Sequence, residues 1–451
     1  MSLIELSACE AAQKIRSGEI TSEELIKAYL ERIEQVDGDV KAWAHLNAEK
    51  ALEQARQCDS IHMQGLATGP LHGVPVGIKD IIDTAHVPTE RGTVLYSGRI
   101  PTNDAVVVER LREAGAVIMG KTVTAELAVL HPGKTANPHN PEHTPGGSSS
   151  GSAAAVASYM VAGSLGTQTN GSMIRPASYC GVFGFKPSYG LIPRGGVLSG
   201  SEPLDTIGTF ARSLEDIALF TEVLIGPNKD DPATNPLGAK FPLSRISAEE
   251  PPIQPKFAFV KTPVWNQAEP STHEAFEELC NALNEIEDDS IIGDDTTINE
   301  IELPEIFGSV HGWLAQVMNA DLARNLADEY DAGEDKMSAI LRGKIEEGRT
   351  VTAVDYNTAL AQRPRLMATL DEIFDEYDAI ITPAATGEAP RGLETTGNPT
   401  FCTIWTFCGL PALSIPLMDG ESGLPLGVQL VGRLNDDARL LRTANWLINQ
   451  L

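Results

Sequence analysis

Short apolar runs alternate with amphipathic helical segments along most of this chain, and that alternation limits the fold more than any other feature of the sequence. The segment "TSEELIKAYLERIEQV" opens with Thr21 and Glu24 spaced as a capping box. Its apolar positions Leu25, Ile26, Tyr29, Leu30, Ile33 and Val36 follow a helical period, and a second helix is expected near Ala48 to Gln57. "GVPVGIKD" is β-branched and apolar, and reads as a buried strand from Val74 to Ile78 with Lys79 at its tip. "AVVVERLREAG" is a helix stopped by Gly115, followed by a strand from Ala116 to Met119. A Gly/Ser loop, "GGSSSGS", opens the helix "AAAVAS", and Ser213 caps another helix. Lys256 to Val260, "AIITP", "ALSIPL" and "GVQLVG" are late strands, "STHEAFEELCNALNEI" is a helix, and a final amphipathic helix starts near Asp437. Strands alternating with helices predict an α/β layered fold.

No internal repeat interrupts this order. Asn228 to Gln254 is rich in Pro, Asp and Asn, and Glu285 to Glu302 is an acidic loop around a weak strand. Both read as surface insertions rather than domain boundaries. A single domain over residues 1–451 is therefore expected, with a helical segment at 1–66, a core at 67–225 and a completing part at 226–451.

The charge balance restricts partners. With 34 basic and 62 acidic side chains the net charge is −28, which opposes nucleic acid or an anionic membrane as the main partner. A small molecule is the expected ligand, bound by a monomer or homodimer. Cys9, Cys58, Cys180, Cys280, Cys402 and Cys408 show no CxxC spacing and read as reduced thiols. "MSLIELSACEAAQKIRSGE" lacks the basic-then-apolar order of a secretory signal, and no apolar run approaches the ~20 residues of a membrane span, so a cytoplasmic location is expected.

Two motif matches fail on context. "GAVIMGKT", Gly115 to Thr122, satisfies the phosphate-loop pattern, but its apolar middle follows a helix and belongs in a sheet. "GSSSG", Gly147 to Gly151, satisfies the nucleophile-elbow pattern around Ser149. That pattern needs a strand before it and a catalytic His after it. The preceding residues are a loop, and only His273 and His311 follow, both on expected helices.

A third constellation has the right chemistry. Lys79 ends a buried strand, Ser148 lies in the first Gly/Ser loop, and Ser172 lies in a second, "GTQTNGSMIRPAS". The two serines are 24 residues apart, with one helix and one short strand between them, which can bring both loops to one sheet edge. A serine attacks a carbonyl only when a base removes its proton. A lysine serves only as the neutral amine, and burial away from carboxylates favours that form. Val74, Val76, Ile78, Ile81 and Ile82 supply the burial, while alternation turns Asp80 away. A second serine between amine and nucleophile can pass the proton. Backbone N–H groups from Thr169, Asn170, Gly171 and Ser172 can converge on an oxyanion, because small residues keep side chains out of the way.

The run "GGSSSGSAAAVA", then "GTQTNGSMIRPASYCGVFGFKPSYG", resembles the amidase signature family. "LHGVPVGIKD" upstream and "GLPALSIPL", "GLPLGVQLVGR" and "DDARLLRTA" downstream resemble the same family, so the likeness spans nearly the whole chain. It implies an α/β/α sandwich with a large mixed β-sheet covered by helices on both faces. It also implies a triad with Lys79 as base, Ser148 as bridging serine after a cis peptide from Gly147, and Ser172 as nucleophile. Thr169, Asn170, Gly171 and Ser172 would form the oxyanion hole, with no metal and no cofactor.

The chain departs from the pattern at four places. Gln168 stands where the family often has Asp, Asn170 and Ser150 replace glycines, and Arg175 lies one position later than in the commonest form. These mark a side branch with Lys79, Ser148 and Ser172 intact. Gln168 and Ser149 read as structural hydrogen-bonders, Arg175 as an anchor for carbonyls below the turn, and Cys180 as a packed thiol.

The expected reaction is hydrolysis of a neutral amide through an acyl-enzyme on Ser172, extending to esters, anilides or carbamates. Trp313, in the apolar segment Glu305 to Met318, and Trp405 are candidate substrate contacts, and "DKMSAILRGKIEEG" a candidate lid or surface helix. Three rival readings are a component of a tRNA-dependent amidotransferase complex, a catalytically dead binding protein on the same fold, and an esterase using Ser149.

Overall fold

The computed structural model describes residues 2–234, 242–286 and 297–451. Eleven strands form one sheet. They are β1 (Trp43–Leu46), β2 (Pro75–Lys79), β3 (Val117–Thr122), β4 (Gly163–Gln168), β5 (Phe183–Lys186), β6 (Thr206–Ala211), β7 (Phe257–Val260), β8 (Ile298–Ile301), β9 (Ala379–Pro383), β10 (Ala412–Asp419) and β11 (Pro425–Val431). Their order is β1-β3-β2-β4-β6-β5-β10-β11-β9-β7-β8. β3, β2 and β4 run parallel, as do β8, β7 and β9, while every pair from β4 through β6, β5, β10 and β11 to β9 is antiparallel. The sheet is therefore mixed, as the family resemblance implied.

The helices in the first half are α1 (Ala8–Ser17), α2 (Ser22–Val40), α3 (Ala48–Met63), α4 (Val106–Glu113), α5 (Ser150–Ala157), α6 (Ile174–Cys180) and α7 (Leu214–Leu224). Those after it are α8 (Leu243–Ser247), α9 (Pro270–Asn284), α10 (Val310–Asn325), α11 (Ala327–Gly333), α12 (Ala339–Thr350), α13 (Ala353–Ala361), α14 (Arg363–Glu376), α15 (Thr403–Phe407) and α16 (Asp437–Gln450). Among the described residues, no helix is long and apolar enough to cross a membrane.

Thr21 and Glu24 make the reciprocal capping box at the start of α2, and Ser213 caps α7 through the N–H of Asp216. The helical reading of residues 1–66 needs one correction. Trp43–Leu46 is a strand, pairing antiparallel with β3 at the sheet edge. A four-residue edge strand between two helices has too few alternating positions to register as a period. The Asn228–Gln254 stretch contains the short helix α8, and β8 is the weak strand expected within Glu285–Glu302; positions 235–241 and 287–296 of these stretches lie outside the described residues.

Two large apolar clusters flank the site. The larger joins α1, α2, α5 and α7 to the first strands, and the second gathers α10, α14 and α15 near β9. Helix α5 is buried on every side, so it must approach the sheet closely. Gly151 permits this: a Cβ there would stand 2.3 Å from Ala42 O and Val123 N. Parallel strands β2 and β4 both end at the same sheet edge, where loops of α/β folds place ligands.

Candidate active site

Lys79 closes β2 and is fully buried. Its Nζ donates to Ser148 Oγ and to Thr167 Oγ1, each at 2.8 Å. Burial holds its pKa well below the ordinary lysine value, and the carboxylate of Asp205 opposes that shift. Asp80 lies across the chain direction, interacting with Lys121 and His45 instead.

Ser148 is 1% exposed and follows a cis peptide from Gly147. The neighbouring serines are committed to the scaffold. Ser149 Oγ donates to Thr167 O and accepts from Thr167 N, each at 3.2 Å. Ser150 Oγ reaches Val123 O and Ser152 Oγ reaches Leu165 O. The esterase reading of Ser149 is thereby corrected. Its hydroxyl is buried and occupied on both sides, and a loop rather than a strand precedes α5. The phosphate-loop match likewise resolves into strand: Val117–Thr122 is β3, and its N–H groups belong to a sheet.

Ser172 sits in the turn between β4 and α6, 9% exposed, facing a cavity of about 850 Å³. Among the described residues, no acceptor takes the backbone N–H of Asn170, Gly171 or Ser172. The turn is braced from behind. Gln168 Oε1 accepts from Met173 N at 2.7 Å and Ile174 N at 3.1 Å, while its Nε2 donates to Thr406 Oγ1. Asn170 accepts from Thr403 Oγ1 on Oδ1 and from Thr406 Oγ1 on its carbonyl. Gly171 has no room for a side chain, since a Cβ would lie 2.8 Å from Pro399 Cβ. Thr169 Oγ1 donates to Asp205 Oδ1 at 2.6 Å.

Arg175 joins the two loops. Its Nη2 donates to Gly147 O at 2.6 Å and to Thr396 Oγ1 at 3.2 Å, as expected of an anchor below the turn. Burial lowers its pKa. The Lys79 and Ser148 side chains are thus in contact, and the Ser172 loop is tied to the Ser148 loop. No hydrogen bond closes Ser148 to Ser172 in this structure.

The cavity corrects the tryptophan expectations. Trp405 is buried away from both solvent and cavity, packed in the second apolar cluster. Trp313 turns toward Phe407, with ring centroids 6.4 Å apart. The face of α10 that meets the cavity carries His311, Leu314, Met318 and Leu322 instead. The apolar segment Glu305 to Met318 reads first as a core helix from its spacing, and α10 does both, packing Val310 and Val317 in the second apolar cluster while turning His311 and Met318 to the cavity. The candidate lid is α12, which reaches the cavity with Lys344. His311 bonds the carbonyl of Thr400, and His273 bonds that of Trp265. Thr167 was missed although alternation along β4 sets it on the same side as Thr169. Asp205 carried no local signal. Cys180 is a buried free thiol, as read.

A buried amine on a hydroxyl, beside a serine in a turn of free N–H groups, defines a site able to activate an alcohol against a carbonyl. The chain belongs to the amidase family: the family model described as Amidase matches residues 24–441. A glutamyl-tRNA(Gln) amidotransferase subunit from Lachnospira eligens is 31% identical, over 98% of this chain and 97% of that protein. Among solved structures, the peptide amidase of Stenotrophomonas maltophilia superposes with a TM-score of 0.85 at 27% identity, over 99% of this chain and 96% of that one. A 6-aminohexanoate cyclic dimer hydrolase gives 0.86 at 25% identity, over 100% and 97%.

Proposed function

We propose that this protein hydrolyses amide C–N bonds through an acyl-enzyme on Ser172. The observation that carries the reading is the Lys79 amine, buried and bonded to the Ser148 hydroxyl. Ser172 Oγ attacks the carbonyl carbon as its proton passes to Ser148 Oγ, whose own proton passes to Lys79 Nζ. The free N–H groups of Asn170, Gly171 and Ser172 receive the oxyanion. Collapse breaks the C–N bond, and the relay returns the proton to the departing amine. Water, activated by the same relay, then releases the acid and restores Ser172.

The cavity supports an uncharged substrate with an apolar body. Arg194 is paired with Asp231, Lys344 with Glu347 and Glu202 with Arg324, while of the other charged side chains in the lining Arg175 and Asp205 are held by hydrogen bonds to neutral groups. Leu198, Leu314, Met318 and Leu322 offer an apolar wall. Anilides and carbamates present the same carbonyl and fit this reading. Six unpaired thiols fit a reducing compartment, so we place the protein in the cytoplasm.

Purified chain should release aniline from a neutral anilide, and Ser172→Ala should lower kcat/KM at least about 10³-fold. Fluorophosphonate labelling should map to Ser172. Retained turnover in Ser172→Ala, or labelling at Ser149, defeats the proposal. The likeness to an amidotransferase component favours a second reading, action only within a complex. Turnover by the isolated chain excludes a strict dependence on partners.

A further inference from the structure

Strand β6 runs antiparallel to β4 with Gln168 opposite Thr206, so one further step in that register sets Thr169 opposite Asp205. Asp205 is half-buried at the cavity wall. Its Oδ1 accepts from Thr169 Oγ1 at 2.6 Å, and its Oδ2 from Gly200 N at 2.8 Å, Ser201 N at 2.9 Å and Ser199 Oγ at 3.4 Å. Burial pushes its pKa up, and four donors on one carboxyl oppose that rise and favour the ionised form.

Resting on the amide-hydrolase reading above, we propose that Asp205 is a positioning residue for the reaction. It anchors the Thr169 end of the nucleophile turn, two residues along the chain from Thr167, whose hydroxyl accepts from the Lys79 amine, and so sets a carboxyl group on the Lys79 side of β4.

The other charges near the site are committed elsewhere. Asp80 and Lys121 interact with each other on the far side of β2. Arg175 donates to Gly147 O. Arg194 is paired with Asp231, donates to the backbone carbonyl of Asp205 at 3.3 Å, and its positive charge also favours the ionised Asp205 carboxyl. From the strands and loops packed on Lys79, Ser148 and Thr167 contribute neutral hydroxyls. Asp205 is the ionisable side chain whose field reaches the amine, and it favours the protonated form.

That direction has a catalytic use. The resting amine must be neutral to accept a proton, and burial secures this. Once Ser172 attacks, Lys79 carries a positive charge in a site with little water. A fixed carboxylate then stabilises the ammonium when it forms, without reorganising. Asp205 thus trades a higher operating pH for an easier proton transfer.

The test is the pH profile of kcat/KM on a neutral anilide. Asp205→Asn should move the acid limb down by about one pH unit and lower the plateau about tenfold. Thr169→Val removes the hydroxyl bond and keeps the charge, so its plateau should fall while its acid limb stays. Asp205→Glu should return the limb toward that of the wild type. An unmoved acid limb in folded Asp205→Asn overturns the proposal, and so does a Thr169→Val limb that moves equally. If Asp205→Asn does not fold by circular dichroism, the sulfonyl fluoride labelling rate of Ser172 in Thr169→Val decides. A rate about tenfold below wild type supports the anchor, and an unchanged rate sinks it. Two controls separate the levels: full activity in Ser172→Ala means the Ser172 assignment has failed, and no turnover by the wild type means the hydrolase reading has failed, whatever Asp205 does.

Discussion

Lys79 and Lys121 sit on adjacent parallel strands, both fully buried and both with pKa values lowered by burial, yet their hydrogen-bond partners differ in kind. Lys121 Nζ donates to the carbonyl of Ile82 and to Thr84 Oγ1 and Thr89 Oγ1. Those two hydroxyls already give their protons to Ile82 O and Val87 O, so toward the lysine they can only accept. The pocket thus offers only acceptors to this amine, whose pKa burial lowers to about 7 against the opposing charge of Asp80. Lys186 repeats the pattern, donating to the carbonyls of Pro187 and Leu410. Around Lys79 the partners are Ser148 and Thr167, and among the described residues no other acceptor takes either hydroxyl. A hydroxyl free to turn can donate to a neutral amine. On the proposed mechanism, what sets Lys79 apart from the other buried lysines is burial among hydroxyls that can reverse their hydrogen bonds.

Removing each amine is the strongest way to break this contrast. Lys79→Met should lower kcat about 10²- to 10⁴-fold, the usual yield of a general base, whereas Lys121→Met should keep kcat per folded molecule within about threefold. Anilide turnover per mole of folded protein, with folding confirmed by circular dichroism, checks this. Equal losses in both variants would dissolve the distinction.

Stability should show the reverse order. Lys121→Met deletes three buried hydrogen bonds of one amine, each of about 1 kcal/mol, and should destabilise the fold by about 2–3 kcal/mol in urea unfolding. Lys79→Met removes a group whose charged form is disfavoured there, and should cost less.

A smaller effect isolates the hydroxyls. Thr167→Val keeps the shape and deletes one partner of Lys79, a hydrogen bond of about 1 kcal/mol, so kcat should drop roughly five- to tenfold. An unchanged kcat would leave Ser148 as the sufficient partner.

The smallest effect is on the pH dependence of folding. Lys79 has a folded pKa depressed below its unfolded value of about 10.4. Between those two values the unfolded chain binds more protons, so stability rises with pH through that window. Lys79→Met should flatten part of that rise in urea titrations on the alkaline side. A steeper rise would reverse the assigned direction of the shift.

These contrasts also mark what the residues disclosed unaided. Lys79 was legible because a β-branched run ends on it, and Ser172 because a small-residue turn surrounds it. Asp205 was not, since its place opposite Thr169 depends on a strand register formed by distant segments. Trp405 drew attention by chemistry, but its neighbours Ile404 and Phe407 are buried with it, and one-dimensional spacing does not separate a core face from a cavity face. Trp43–Leu46 escaped because its pairing partner, β3, lies far along the chain, beyond α3 and β2.

The sheet has a seam. Strands from the first half of the chain meet those from the second where β5 pairs with β10. Lys79, Ser148 and Ser172 all lie before that seam, while α10 and the loop around Pro399 face them from beyond it. The cavity wall is drawn from both sides of the seam, Leu198 from before it and Leu314, Met318 and Leu322 from beyond it. Exchanging the wall helix for that of a relative offers a route to new substrates that leaves the proton path untouched.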